Sequence, residues 1–187
     1  MIKEISFYDF DGTLIDSPLP EEGKEIWKEK TGEEYPHKGW WGRKESLDTK
    51  IFNIKPKDSV YKKYLKDKND SDCVTVLLTN RLLKLKDYVL NILNENNIEF
   101  DEYSFKKGKE EKIDRILSFL KKYPNVKIIN LYDDRDKEIS LFKKFREEYG
   151  DKYIINIFNV KDNNILKEYY INRIERIIIE EVNNYLE

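Results

Sequence analysis

The chain has 187 residues, 39% hydrophobic and 39% charged, with a net charge of −2. That balance suits one domain with an ordinary core; it excludes a disordered chain and a globally basic nucleic-acid binder. A single Cys (Cys73) and a single His (His37) exclude an internal disulfide and a His-rich metal site, and no run of ~18 apolar residues or signal peptide points to a membrane, so a cytoplasmic setting is expected.

In chain order, residues 2–8 read as a short strand that ends in Asp9-Phe10-Asp11-Gly12-Thr13-Leu14. Residues 16–72 hold four of the prolines, including Pro18, Pro36 and Pro56, and all three tryptophans, Trp27, Trp40 and Trp41. This turn-rich stretch reads as an insertion or small cap, helical only near 21–30 and 58–68. Residues 74–78 form a β-branched apolar run, as a strand buried on both faces requires, and it ends at Thr79-Asn80-Arg81. A helical pattern follows through Leu82, Leu85, Val89, Leu90, Ile92 and Leu93, then a weaker strand over 98–105. A helix over 109–122 stops before Pro124, and the strand over 126–132 ends in Asp133-Asp134-Arg135. A helix over 136–149, a strand over 153–158 and a long helix over 161–185 complete the chain. The alternation predicts an α/β fold with a mostly parallel sheet, in one domain spanning 1–187.

Ligands of such sheets bind beyond the carboxyl ends of the strands. Here those ends carry Asp9 and Asp11, then Thr79, then Asp133 and Asp134. Residues two apart in a strand share a side, so Asp9 and Asp11 can reach one site. Two unit charges ~4 Å apart repel by roughly 4 kcal/mol at an effective dielectric near 20, so crowded carboxylates call for a cation. An oxygen-only ligand set points to Mg²⁺. Each group also has a plainer reading. Asp11-Gly12 could be a turn, Thr79 or the Asp133-Asp134 pair a helix N-cap, and the lysines near 106–112 a solvated face. Arg81 and Arg135 could hold substrate phosphate or pair with nearby acids. Trp40 and Trp41 could form a stacking platform, but cap packing on the core is the favoured reading. Cys73, next to an apolar run, reads as a packing residue.

The order of these motifs resembles the haloacid dehalogenase (HAD) superfamily of phosphatases over roughly residues 1–150. Gly39-Trp40-Trp41, Leu77-Leu78-Thr79-Asn80-Arg81, Tyr123-Pro124 and Tyr132-Asp133-Asp134-Arg135 resemble its Swiss Army Knife RNA repair-like domain. The Asp-Asp-Arg ending is also similar to the phosphatase half of phage polynucleotide kinase-phosphatase. Asn80 departs from these relatives, which usually carry Gly. The resemblance implies a HAD-like Rossmannoid fold and a Mg²⁺-dependent phosphomonoester hydrolase acting on a nucleotide or a polynucleotide end. It implies that Asp9 attacks phosphorus to form an aspartyl-phosphate, and that Asp11 is the general acid and then the base. Asp9 and Asp134 would hold Mg²⁺ through carboxylates and Asp11 through its carbonyl, with Asp133 in support; which of the Asp133-Asp134 pair is the direct ligand stays open. Thr79 and the Asn80 amide would hold phosphate. Lys112 best matches the family lysine, with Lys109 second and Lys106 and Lys107 also in range. Two other classes stay open: a phosphoacceptor receiver domain of the signalling type, and a phosphate-binding module without catalysis.

Overall fold

The computed structural model describes residues 1–161 and 164–168. Strand β1 (Glu4–Tyr8) runs through the middle of the molecule, and a short β2 (Ile15–Asp16) follows the Asp9–Leu14 loop. Helix α1 (Pro20–Thr31), β3 (Lys55–Pro56) and α2 (Asp58–Lys68) come next, with β3 pairing antiparallel to β2. The chain then forms β4 (Cys73–Leu82), α3 (Lys86–Glu95), β5 (Glu102–Lys106), α4 (Lys112–Lys122), β6 (Ile128–Asp133), α5 (Asp136–Tyr149), β7 (Ile154–Lys161) and β8 (Asn164–Glu168).

The main sheet has the order β5-β4-β1-β6-β7-β8, parallel throughout except for β8. After β1 the chain builds outward on one side through β4 and β5, then returns to build β6 and β7 on the other. The order therefore reverses beside β1, which opens a crevice at the carboxyl edge between β1 and β6. Asp9 leaves β1 there, and Asp133 ends β6 there.

Both sheet faces are buried. Ile5, Phe7, Val76, Leu78, Ile129 and Leu131 pack against Ile116 and Leu120 of α4 and Ile139, Phe142 and Phe145 of α5. On the other face Tyr8, Leu77 and Tyr132 meet Val60 and Tyr64 of α2 and Val89, Ile92 and Leu93 of α3. Trp40, Leu47, Phe52 and Ile54 from the 16–72 stretch join the same cluster. Parts of that stretch are thus packed on the sheet. Trp40 donates its indole N–H to the Pro18 carbonyl at 3.1 Å, and a Cβ on Gly23 would lie 2.2 Å from its ring. Trp40→Ala should therefore cost about 3–5 kcal/mol of stability. Urea unfolding checks this, and a loss below ~1 kcal/mol would mean the ring is not core.

Cys73 is buried, and burial pushes its thiol up to about 12, in keeping with a packing residue. Among the described residues, no helix is long and apolar enough to cross a membrane.

Two sequence expectations change. The strand expected to end at residue 78 continues to Leu82, with Thr79, Asn80 and Arg81 inside it. Leu78 pairs with Ser104 and Leu82 with Lys106, so four residues of β4 pass two of β5. A bulge of this kind locally frees the backbone and re-aims side chains. The helix expected over 161–185 does not form in its described part: Asn164–Glu168 is β8, paired antiparallel with Ile157–Lys161. Pairing with β8 satisfies the outer hydrogen bonds of β7, which a helix could not do. Residues 169–185 of that expectation lie outside the described residues.

Candidate active site

Gly12 sets the shape of the first loop. Its φ is +70°, which glycine adopts without strain, and a Cβ there would lie 2.5 Å from Oδ2 of Asp134. The loop closes on itself through Leu14 N–H to the Asp9 carbonyl at 3.2 Å and Ile15 N–H to the Phe10 carbonyl at 2.9 Å. Asp9 stays on the sheet, its N–H donating to the Tyr132 carbonyl at 3.0 Å. Thr13, fully buried, donates its hydroxyl to Oδ1 of Asp134 at 3.1 Å. One tight turn thus brings the β1 and β6 carboxylates together.

Lys112 is the lysine that reaches the site. It opens α4, is 1% exposed, and donates to Asp9 Oδ1 at 2.6 Å and Asp133 Oδ2 at 2.5 Å. Burial alone would lower its pKa, but Asp133 and Asp9 more than offset this and hold the ammonium above its usual range. Lys109 and Lys107 are exposed, and none of Lys106, Lys107 and Lys109 lines the Asp9 pocket. Lys109 precedes α4, so its side chain is not carried inward by the helix face that buries Lys112, Arg115 and Ile116.

Asp9, Asp133 and Asp134 bring carboxylate oxygens within 4.8 Å of one another. Burial is the main influence on Asp9 and pushes its pKa up; Lys112 opposes this, while Asp133 and Asp134 add to it. Burial and then Asp133 likewise raise Asp134. Charged carboxylates are thus disfavoured here without further positive charge. The two acids after β6 differ. Asp133 is fully buried, with Oδ2 on Lys112 and Oδ1 accepting the Arg135 N–H at 3.1 Å. Asp134 lines the pocket. Hard oxygen donors at close spacing fit a small divalent cation, which Asp9 and Asp134 would hold from the pocket, with Asp133 behind them on Lys112. The N-cap of α5 is Arg135, and no side chain caps it, so the plain capping reading of the pair does not hold.

Thr79 is 1% exposed yet lines the pocket. Its Oγ1 accepts the Arg81 N–H at 3.0 Å, which leaves its own proton to donate. With the first turn of helix starting only at Leu83, it is not an N-cap. Arg115 braces this segment from behind, donating to the Thr79 carbonyl at 2.8 Å and to Asn80 Oδ1 at 2.7 Å. The Asn80 amide donates in turn to Glu138 at 3.2 Å.

Arg81 is taken by an acid. Its Nε and Nη2 donate to the two oxygens of Asp11 at 2.7 and 2.8 Å, and Nη1 donates to the Trp41 carbonyl and Ser46 Oγ. Ser17 adds a third bond to Asp11 at 2.8 Å. Arg135 also pairs with an acid, Glu138, at 2.8 Å, but lines the pocket as well. Asp9, Asp11, Thr79, Asn80, Arg81, Asp134 and Arg135 thus all line one pocket of about 290 Å³.

Sequence reasoning missed several supports. Ser17, Ser46, Arg115 and Glu138 are in contact with site residues, and Lys161 donates to the Asp134 carbonyl at 2.9 Å. Arg115 carried a signal, since it lies three residues after Lys112 on the same helix face. Ser46 and Lys161 carried none, because their partners are remote in sequence.

The sequence profile of HAD domain family 1 in Swiss Army Knife RNA repair proteins matches residues 17–186, a span that begins just after the Asp9–Asp11 loop. An uncharacterised protein of Saccharomyces cerevisiae, YMR265C, is 28% identical over 170 residues. The alignment takes in 77% of this chain and 37% of that protein, so the chain spans little over a third of the curated relative it matches. Among solved structures, a haloacid dehalogenase-like hydrolase, SP0104 from Streptococcus pneumoniae, superposes with a TM-score of 0.50 at 17% identity, covering 86% of this chain and 85% of that one. The HAD domain of effector protein Lem4 from Legionella pneumophila gives 0.46 at 15% identity, over 98% and 95%.

Proposed function

Because the chain belongs to HAD domain family 1 of the Swiss Army Knife RNA repair proteins, we propose that it hydrolyses phosphomonoesters through a covalent aspartyl-phosphate, with Mg²⁺ as cofactor and a nucleotide or polynucleotide-end phosphate as substrate. One observation carries the reading: Asp9 sits in a pocket floor with Thr79 and Asp134 around it and the Lys112 ammonium 2.6 Å away. A buried carboxylate fixed by a lysine is a preorganised nucleophile with charge compensation in place.

In this reading Asp9 attacks phosphorus with one carboxylate oxygen, and the P–O bond to the alcohol breaks. Lys112 aligns Asp9 and favours its ionised form against the burial that opposes it. The Thr79 hydroxyl holds a phosphoryl oxygen. Asp11 gives a proton to the departing alcohol and later takes one from the water that attacks the phosphoryl group. Arg81 and Ser17 fix Asp11 at the pocket wall, and the proton it takes from that water is the one it gives to the next departing alcohol. Mg²⁺, held by Asp9, Asp134 and the Asp11 carbonyl, would supply charge neutralisation between phosphate and carboxylates.

Hydrolysis of p-nitrophenyl phosphate with Mg²⁺ and with EDTA tests this. We expect turnover with the metal and near-complete loss without it. Mg²⁺ should also raise the melting temperature, since a ligand bound only by the folded state stabilises it. Asp134→Asn should abolish that rise. Metal-independent hydrolysis, or no release of phosphate from any phosphomonoester, would sink the proposal.

A further inference from the structure

Adjacent tryptophans in the 16–72 stretch have opposite fates. Trp40 is core, whereas Trp41 is 40% exposed and lines the wall of the Asp9 pocket. Leu19, 61% exposed, lines the same pocket. The floor is charged and polar, while this part of the wall offers a flat ring and an aliphatic side chain to solvent. Large apolar side chains left exposed beside a polar pocket mark a surface meant to be covered. The ligand that covers it needs an anionic end and a flat, weakly polar end. A sugar phosphate has only the first. Trp41 is also held firmly: the Arg81 guanidinium lies 5.1 Å from its ring centroid and donates to its carbonyl at 2.8 Å. A ring fixed in this way loses little freedom when another ring stacks on it.

We propose that Trp41, with Leu19 on the same pocket, is the subsite for the nucleobase of a single nucleotide whose phosphate lies at Asp9. This rests on the phosphatase reading and narrows its substrate class. A pocket of about 290 Å³ has room for one nucleotide unit and little more. Arg135 and Ser17 line the same pocket and offer hydrogen bonds to a hydroxylated spacer between phosphate and ring. The net charge of −2 gives no extended field to track a polynucleotide backbone. Recognition therefore stops at one nucleotide, free or terminal. Trp41 also touches the residue that grips Asp11, so a base on its ring is one side chain away from the proton donor.

The test compares adenosine 5′-monophosphate, adenosine 3′-monophosphate, ribose 5-phosphate and phosphotyrosine on the wild type, Trp41→Phe and Trp41→Ala. Turnover and calorimetric binding are both read. The wild type should prefer the better adenosine monophosphate over ribose 5-phosphate by roughly tenfold to hundredfold, the range that base–aromatic stacking supplies. Trp41→Phe should keep most of that ratio. Trp41→Ala should lose it, mainly through KM. Using a ratio removes any general damage done by the substitution. A wild type without preference, a ratio unchanged in Trp41→Ala, or phosphotyrosine matching the nucleotide would overturn the subsite. If no phosphomonoester is hydrolysed, the phosphatase reading fails by itself. Calorimetry then decides the subsite: nucleotide binding lost in Trp41→Ala supports it, and equal binding overturns it.

Discussion

Asp9→Asn should lower turnover of p-nitrophenyl phosphate on the order of 10⁴-fold or more, the scale seen when a covalent nucleophile is removed. Asn keeps the shape of Asp and can still accept a hydrogen bond from Lys112, but its amide cannot form the acyl phosphate. Stability should move the other way. Burial raises the Asp9 pKa in the folded protein, with Asp133 and Asp134 adding to it. A carboxyl raised on folding opposes the folded state increasingly as pH climbs from its unfolded value to its folded one. Above that interval the neutral Asn should leave the metal-free protein equally or more stable. The expected result is a dead enzyme with an unchanged or higher melting temperature in EDTA. A protein that melts well below the wild type would mean that activity was lost with the fold, and substantial residual turnover would remove Asp9 from the reaction.

The second large effect is expected at Lys112, and it combines both losses. Its ammonium is 1% exposed and serves Asp9 and Asp133 together. Lys112→Ala leaves two buried carboxylates without their cation, and breaking a buried pair from one side costs about 3–5 kcal/mol. Turnover should fall by about 10²–10³-fold, the scale of losing one preorganised donor to developing charge. Because the fold is also weakened, the rate should be measured well below the melting temperature. Lys109→Ala is the matched control and should behave as wild type, since Lys109 is exposed and away from the pocket. Full turnover in Lys112→Ala would contradict the assignment of the site lysine.

How much of this was legible in the sequence depends on the range of each contact. The sheet could be read because β1, β4 and β6 are apolar runs that end in polar groups, and the fold gathers those ends at one edge. Lys112 could be ranked first because the resemblance set its place at the start of a helix. Asp133 and Asp134 could not be told apart, because adjacent residues differ only in direction. The structure turns Asp133 inward to Lys112 and leaves Asp134 on the pocket. The same limit applies to Trp40 and Trp41. Arg81 stood between phosphate and acid as partners, and the Asp9–Leu14 turn brings the acid Asp11 to it. The strand Asn164–Glu168 was read as helix because Ile165 fits either period in a short apolar run, and pairing with β7 settles it.

A phosphate on Asp9 is the species on which the mechanism turns, and Asp11→Asn gives the clearest view of it. The p-nitrophenolate leaving group needs no proton donor, so Asp9 can still be phosphorylated in this variant. Hydrolysis of the acyl phosphate does need Asp11 to activate water, so the intermediate should accumulate. Mixing Asp11→Asn with p-nitrophenyl phosphate and Mg²⁺, quenching, and reducing with borohydride converts a phosphorylated aspartate to homoserine. Peptide mass spectrometry should then find homoserine at position 9, in step with a burst of p-nitrophenolate of about one per protein. A burst with the mark at another residue, or turnover by the wild type with no mark in either protein, would contradict the account.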